Sequence, residues 1–407
     1  LPAHPPPPAR LLDLTRSVSR AGRGPATGID RVERAYLHRL LATDTPLFGL
    51  VRSALGFVLL DRAGVVALAG LLAAGGPWDE PGPLARLAGR RDPHRARVEA
   101  TARRLALARM PRPGLGRMLH RHLPEGAAWL NLGHANLTRR TLAGLRAVPG
   151  ARVTAMLHDT IPLDHPELCR PGTTERFARL FTAALGADLL VVPSHATAEA
   201  VARHAGAAAV PPIVVAPLGL GPAPPPDPGA LPPGLPGPGP YVLALGTIEP
   251  RKNLGLLLEA WAALPGLLGA DAVPRLIVVG ARGWADAAFL ARLEAACAGG
   301  RVVEAGALPD AAVAALLEGA AALAFPSRAE GFGLPPLEAA RAGVPVLCAQ
   351  LPVYRETLGD WPVYLPHDDG YPWAQAVAGI VRAGKVRHTP PPLPDWDAHF
   401  RAVLSRT

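Results

Sequence analysis

Cysteine is nearly missing from this 407-residue chain: Cys169, Cys297 and Cys348 stand alone, with no CxxC pair and no histidine at zinc-ligand spacing. A disulfide framework and a cysteine-built zinc site are thereby excluded, and an odd, scattered set fits a reducing cytoplasm. Aromatic residues make up only 5%. That is too few for a platform that stacks successive bases, and no RNA- or DNA-binding motif is present, so nucleic acid is not an expected partner. The longest apolar stretch, 64–76, is too short to span a bilayer, and Asp61 and Arg62 stand just upstream of it. The opening residues, LPAHPPPPARLLDLTR, lack the basic-then-apolar order of a signal peptide. The expectation is a cytoplasmic protein that touches the inner face of a membrane at most peripherally. No GxGxxG loop occurs, which argues against a dinucleotide cofactor and a nicotinamide-dependent dehydrogenase.

What is present is a long, apolar, basic chain. Its length suggests two domains, and 49% hydrophobic residues mark it as globular. Alanine, arginine, glycine and proline are abundant and lysine is rare, a pattern of GC-rich coding. The net charge of +9 favours anionic partners such as phosphates and acidic membrane surfaces.

Strand and helix patterns alternate along the chain. After a proline-rich leader (1–10), 11–18 reads as a first strand, followed by a glycine-rich loop and an amphipathic helix at 31–42, with Thr27 or Asp30 as its cap. Residues 51–69 suggest a hairpin. The stretch 84–122 carries Arg86, Arg90, Arg91, Arg95, Arg97, Arg103, Arg104, Arg109, Arg112, Arg117 and Arg121 against Asp92 and Glu99. It reads as a basic amphipathic helix, either docked on anionic lipid or simply a solvated face. Strands at 128–133, 152–157, 188–193 and 213–219 alternate with helices, which predicts a parallel, doubly wound sheet. His158, Asp159 and Ser194 fall at strand ends, where such sheets bind ligands.

Residues 221–240 are almost entirely proline and glycine and read as an exposed connector and hinge. A second alternation follows: strands at 241–246, 275–280 and 301–306, and helices at 254–264, at AAVAALLEGA, and finally at 395–407. The domain expectation is 1–220, the linker 221–240, a second domain 241–385, and a tail 386–407.

The densest signal is 324–338, AFPSRAEGFGLPPLE. An apolar strand (321–325) meets a turn in which Gly331 and Gly333 allow close backbone approach. Pro335 and Pro336 suit the first turn of a helix. Free N–H groups at such a helix start form a phosphate site, bracketed here by Glu330 and Glu338. Alone, Glu338 could merely complement the helix dipole, worth ~0.3–1 kcal/mol, and Glu330 could be an ordinary loop acid. A second motif, GTIEPRKN (246–253), puts Arg251 and Lys252 at another strand end.

The pair Glu330 and Glu338, seven residues between them in EGFGLPPLE, resembles the signature of retaining glycosyltransferases of family 4. The resemblance implies the GT-B fold, two Rossmann-like domains facing across a cleft, with the last helix crossing back to the first. It implies that Glu330 contacts the donor sugar and Glu338 the nucleotide ribose. Gly331, Phe332, Gly333 and Leu334 would then line the donor, while Arg251 and Lys252 hold its diphosphate. The loop near Gly28 would reach across the cleft, His158 would contact the sugar, and loops at 281–284 and around Leu308 would meet the base. Thr247 departs from the pattern, because many members carry arginine directly after the strand-end glycine. GTIEPRKN looks closest to the mannosyltransferases of O-antigen synthesis, which implies GDP-mannose as donor and a glycan or lipid-linked hydroxyl as acceptor. Alternatives are a UDP- or dTDP-sugar donor, a sugar-nucleotide epimerase, and an inactive glycan-binding subunit. No cofactor or metal is expected: no DxD-like pair stands beside the diphosphate site, and Asp368–Asp369 comes late in the chain. Glu330→Ala is expected to lower turnover by ~10²–10³ with the fold intact.

Overall fold

The computed structural model describes residues 5–88 and 91–407. Arg90 and the first four residues of the leader lie outside them. Eight strands form the first sheet: β1 (Arg10–Asp13), β2 (Leu47–Ser53), β3 (Gly56–Leu60), β4 (Ala108–Met110), β5 (Ala128–Asn131), β6 (Arg152–Met156), β7 (Leu189–Val192) and β8 (Ile213–Val215). Their order is β4-β3-β2-β1-β5-β6-β7-β8. All neighbours are parallel except β2–β3 and β3–β4.

The second sheet holds β9 (Tyr241–Leu245), β10 (Arg275–Val279), β11 (Val302–Gly306), β12 (Ala322–Phe325), β13 (Val346–Ala349) and β14 (Val363–Leu365). It is wholly parallel, in the order β11-β10-β9-β12-β13-β14. The order reverses between β9 and β12 here, and between β1 and β5 in the first sheet. Crevices outside the carboxyl ends of strands open at such reversals.

Alternate residues of each strand enter opposite cores. In β1, Leu11 joins the cluster with Trp129 and Leu190, and Leu12 the one with Leu130 and Val191. This second cluster does not stop at the domain boundary. It takes in Phe332, Leu337 and Ala340 from the second domain, and Phe400 and Val403 from the last helix, Trp396–Leu404.

Four expectations are corrected. The first strand ends at Asp13, because the Asp13 carboxylate accepts a hydrogen bond from the Thr15 amide (3.0 Å) and the chain turns into the helix Thr15–Arg20. The hairpin of 51–69 is β2–β3 only, since Asp61 caps a helix, Arg62–Ala74, by accepting from the Gly64 amide. The stretch 84–122 is not one helix. It divides into Pro83–Ala88, Pro93–Arg104 and Leu115–His122, with the edge strand β4 between the last two. Prolines at 93, 111 and 113 cannot continue a helix. Its arginines are partly paired, Arg95 with Glu99 (2.7 Å), Arg97 with Glu80 (3.0 Å) and Arg104 with Asp79 (2.8 Å), so they form no single cationic stripe. The connector 221–240 is not wholly exposed either. Ala230, Leu231 and Leu235 pack on the second domain's core, and the Asp227 amide donates to the Ala311 carbonyl (3.1 Å). Among the described residues no helix is long and apolar enough to cross a membrane.

The last helix does cross back. Asp395 caps it by accepting from the Ala398 amide. Phe400 stacks with Trp396 and meets Tyr36 edge-on. The buried His399 ring joins three segments: its Nδ1–H donates to the Ala216 and Pro217 carbonyls (3.1 and 3.0 Å), and its Nε2 accepts from the Tyr36 hydroxyl (2.7 Å). Phe400→Ala should therefore lower stability by about 3–5 kcal/mol. Urea denaturation measures this, and a loss below about 1 kcal/mol would show that this helix does not carry the packing assigned to it.

Candidate active site

The two motif loops leave β9 and β12, the strands that flank the second domain's reversal point. The turn after β9 ends in a short 3-10 helix, Pro250–Lys252, closed by Asn253 in the left-handed region (φ 53°). Asn253 is anchored by donating from Nδ2 to the His367 carbonyl (2.8 Å). This geometry aims Arg251 and Lys252 at the turn after β12. Arg251 donates to the Ala329 carbonyl (3.0 Å), and the Arg251 carbonyl accepts from the Arg328 amide (2.9 Å). The loops are thus laced together before any charge is considered.

The charges converge on one oxygen. Glu330 Oε1 lies 2.5 Å from Lys252 Nζ and 2.7 Å from Arg251 Nη1. Glu249 holds Arg251 from the other side at 2.7 Å. Lys252 Nζ also sits 4.4 Å from the centre of the Phe325 ring. Burial pushes the Glu330 carboxyl up, but Arg251 and Lys252 outweigh it and hold the group at about 2. Burial pulls the Lys252 ammonium down; Glu330 opposes this, and the like charge of Arg251 adds to it. Glu330→Ala would leave the buried Lys252 ammonium without its counter-ion while Arg251 keeps Glu249, so a loss of stability is expected alongside any loss of turnover.

Gly331 and Gly333 follow. A side chain on Gly331 would collide with the His158 carbonyl of the first domain, and Gly333 is left-handed (φ 91°). Ser194 Oγ donates to the Gly331 carbonyl at 3.3 Å, so the turn is gripped from across the cleft. Phe332 differs from expectation. It is 5% exposed and fills the core shared with the first domain, so its side chain serves packing. The Leu308 side chain is likewise buried. Thr247 is exposed. In the loop after β10, Trp284 is engaged with the first domain: its Nε1–H donates to the Leu168 carbonyl (3.1 Å), and Arg170 lies over its ring.

His158 is buried, and its Nε2–H donates to the Leu132 carbonyl (2.6 Å). Burial takes the imidazole down to about 4, so it is neutral near pH 7. What it presents to Gly331 is its peptide carbonyl. Asp159 accepts from the Ile161 amide (3.1 Å), as a turn former does.

Glu338, on the helix Leu334–Arg341, pairs with Arg31 of the first domain, whose Nη2 also reaches Asp310 (3.2 Å). Arg31 stands in the first turns of the helix Gly28–Leu41, where Thr27 and Asp30 act together: the Asp30 carboxylate accepts from the Thr27 amide (2.8 Å). Gly28 itself faces Leu334.

A further group lies at the first domain's reversal point and was not singled out from the sequence. Asp13 accepts from Asn136 Nδ2 (3.0 Å), and Glu33 from Ser17 Oγ (2.7 Å). His134 and Asn136 both have positive φ (61° and 64°) in the loop after β5. Burial raises Asp13 to about 6 and Glu33 to about 8. The signal available in the sequence was the segment NLGHANLT directly after a strand. Among the described residues no group of three or more His, Cys, Asp or Glu is arranged to hold a metal ion.

Residues 232–372 match the family model described as Glycosyl transferases group 1. Over 120 residues the chain is 39% identical to O-antigen chain mannosyltransferase B of Escherichia coli, a match covering 30% of this chain and 31% of that protein. It is 34% identical over 85 residues to the O-antigen chain mannosyltransferase RfbU of Salmonella typhimurium, 21% of each. These matches thus span about a third or less of the curated relatives' length. Anabaena HepE, crystallised in complex with UDP-glucose, superimposes over 92% of this chain and 90% of its own, with a TM-score of 0.59 at 16% identity. The two facing domains are a GT-B fold.

The Glu330 pair generates a pH test. Its folded-state pKa lies below the ordinary value of 4.5, so its contribution is complete above that pH and is lost as pH falls toward about 2. The groups facing it are Arg251, Lys252, Asp159, Glu249 and Tyr354. Glu330→Gln should cost about 3–5 kcal/mol at pH 7, with the gap to wild type narrowing as pH drops through this window. Urea midpoints at pH 7 and pH 3 measure it; a gap that does not change with pH would disprove the pairing.

Proposed function

We propose that the chain is a retaining glycosyltransferase of family 4 type. It transfers mannose from GDP-mannose to a glycan or lipid-linked hydroxyl in bacterial surface polysaccharide synthesis. The observation that carries this reading is the convergence of Arg251 and Lys252 on Glu330 at the β9/β12 reversal point. The match of 232–372 to a glycosyltransferase family and the similarity to two O-antigen mannosyltransferases support it, and the latter favour mannose.

In this reading the donor diphosphate takes its place beside two fixed cations. Each charge-assisted hydrogen bond contributes ~1.5–3 kcal/mol. As the bond from the anomeric carbon to the phosphate oxygen breaks, charge grows on that oxygen. Arg251, Lys252 and the N–H groups at Gly333–Leu334 stabilise it. The phosphate draws Arg251 and Lys252 away from Glu330, and the freed carboxylate orients the sugar hydroxyls. The acceptor hydroxyl attacks the oxocarbenium-like carbon from the face the phosphate leaves, and its proton passes to that phosphate, so configuration is retained. Glu330 is neither nucleophile nor base in this scheme.

Calorimetry with GDP, UDP, dTDP and ADP, followed by NMR of the product formed from GDP-mannose, tests the reading. Selective GDP binding and an α-mannoside product are expected. Donor turnover without acceptor would point to an epimerase, and nucleotide binding without any turnover to an inactive binding subunit. Lys252→Ala should weaken GDP binding about 10- to 150-fold; unchanged affinity would remove Lys252 from the diphosphate site.

A further inference from the structure

A cavity of about 950 Å³ lies between the first domain's helix 28–41 and the second domain's helices Asp310–Gly319 and 334–341, and ends at the last helix, 396–404. Glu330, Arg251, Lys252, Gly331 and Gly333 do not line it; of the residues tied above to the donor, only Leu334 and Glu338 do. At that end the Arg31 guanidinium bonds Glu338 and Asp310 (3.2 Å), so protein groups already satisfy one another there. The walls are helix faces. Arg31, Ala35 and His38 line the cavity from one helix, and Leu334, Glu338 and Arg341 from another. Each set steps by four and then three residues, so both faces run along the cavity for at least about 10 Å. It is a groove for an elongated ligand.

The lining selects the chemistry of that ligand. Four arginines and four carboxylates face the groove, with no lysine. The charges balance, so neither an anion nor a cation is drawn in. Arg39 is paired with Asp397 (3.5 Å), and Arg341 donates to the Gly221 carbonyl. Arg34 is exposed and has no partner among the described residues. Between the charges lie apolar side chains such as Leu218, Val313 and Leu317. At the end formed by the last helix stands Trp396, half-buried and stacked on Phe400 with ring centres 5.4 Å apart and planes 22° from parallel. Its indole N–H has no partner among the described residues. A sugar ring suits such a wall. Its C–H face packs on the negative face of an aromatic ring, while its hydroxyls accept from N–H donors and donate to carboxylates. A lipid chain would strip water from the charged groups and give no hydrogen bond in return.

We propose that this groove is a second glycan site, which holds a neutral oligosaccharide segment with Trp396 as its stacking platform and Arg34 as a donor to its hydroxyls. The inference rests on the proposed glycosyl transfer for the sugar, mannose, and goes beyond it in placing a glycan outside the donor site. A polysaccharide bound there stays with the enzyme between successive transfers.

Titration of the full chain with mannotetraose, followed by NMR and repeated in saturating GDP, tests the proposal. Saturable binding is expected, tighter than that of mannose and unchanged by GDP. Trp396→Ala should weaken it about tenfold, as loss of a buried aromatic anchor does. Arg34→Ala should weaken it severalfold, and Ala314→Trp, which fills the groove from its side, should abolish it. Arg34 and Ala314 lie outside the core clusters, so these two variants keep the test valid if Trp396→Ala does not fold. No binding by folded wild type, displacement by GDP, or binding that survives both Trp396→Ala and Ala314→Trp would overturn the inference. Mannosyl transfer without tetrasaccharide binding would overturn it alone. Tetrasaccharide binding that meets these criteria, by a chain that neither binds nor turns over any nucleotide sugar, would overturn the reading beneath it and leave the glycan site standing.

Discussion

The carboxylate of Glu330, held between Arg251 and Lys252, is the interaction on which the second domain's binding face depends. Removing three charges from water is expensive, and the cost is offset only because each finds a partner at hydrogen-bond distance. The backbone lacing of Arg251 to Ala329 and Arg328 supplies the required precision. Because the loops come from strands on either side of the reversal point, the same contact that stabilises them also holds the two cations to which the proposed function assigns the diphosphate. A ligand that brings its own negative charge competes with Glu330 for both cations.

From that point the coupling runs across the cleft. The turn carrying Glu330 continues into Gly331, which touches His158 and Ser194, and Phe332, which enters the first domain's core. Arg31 ties the next helix, and the segment Trp396–Leu404 binds back to Tyr36. The domains are thus joined at the site, at the rim and at the tail. The connector 221–240 lies partly on the second domain, so relative movement of the domains requires more than bending its glycines.

Much of the architecture was legible because buried parallel strands are short apolar runs bounded by turn residues, as YVLAL and ALAF are. Helices were harder. Ala287–Ala298 was not picked out, because its many alanines blur the contrast between apolar and polar faces. The basic stretch 84–122 misled for a related reason: arginine spacing suits a helix, but prolines divide it and acids from elsewhere in the chain neutralise part of it. In the site, Glu330, Arg251 and Lys252 were recognisable because their motifs are local, each a few residues after a strand. Asp13, Glu33 and His134 were not, since they are brought together from β1, the helix Gly28–Leu41 and the loop after β5.

The sequence by itself determined the strand–turn–helix units, the two acids with seven residues between them, and the cations after β9, because turn chemistry and side-chain periodicity act over a few residues. Only the tertiary structure decided how those units use their charges. It spent Phe332 on packing, turned the His158 ring to a backbone carbonyl, and placed Arg31 between Glu338 and Asp310. The physical reason is that burial and charge pairing depend on neighbours distant in the chain, and a carboxylate acquires its partner only when two domains close around it.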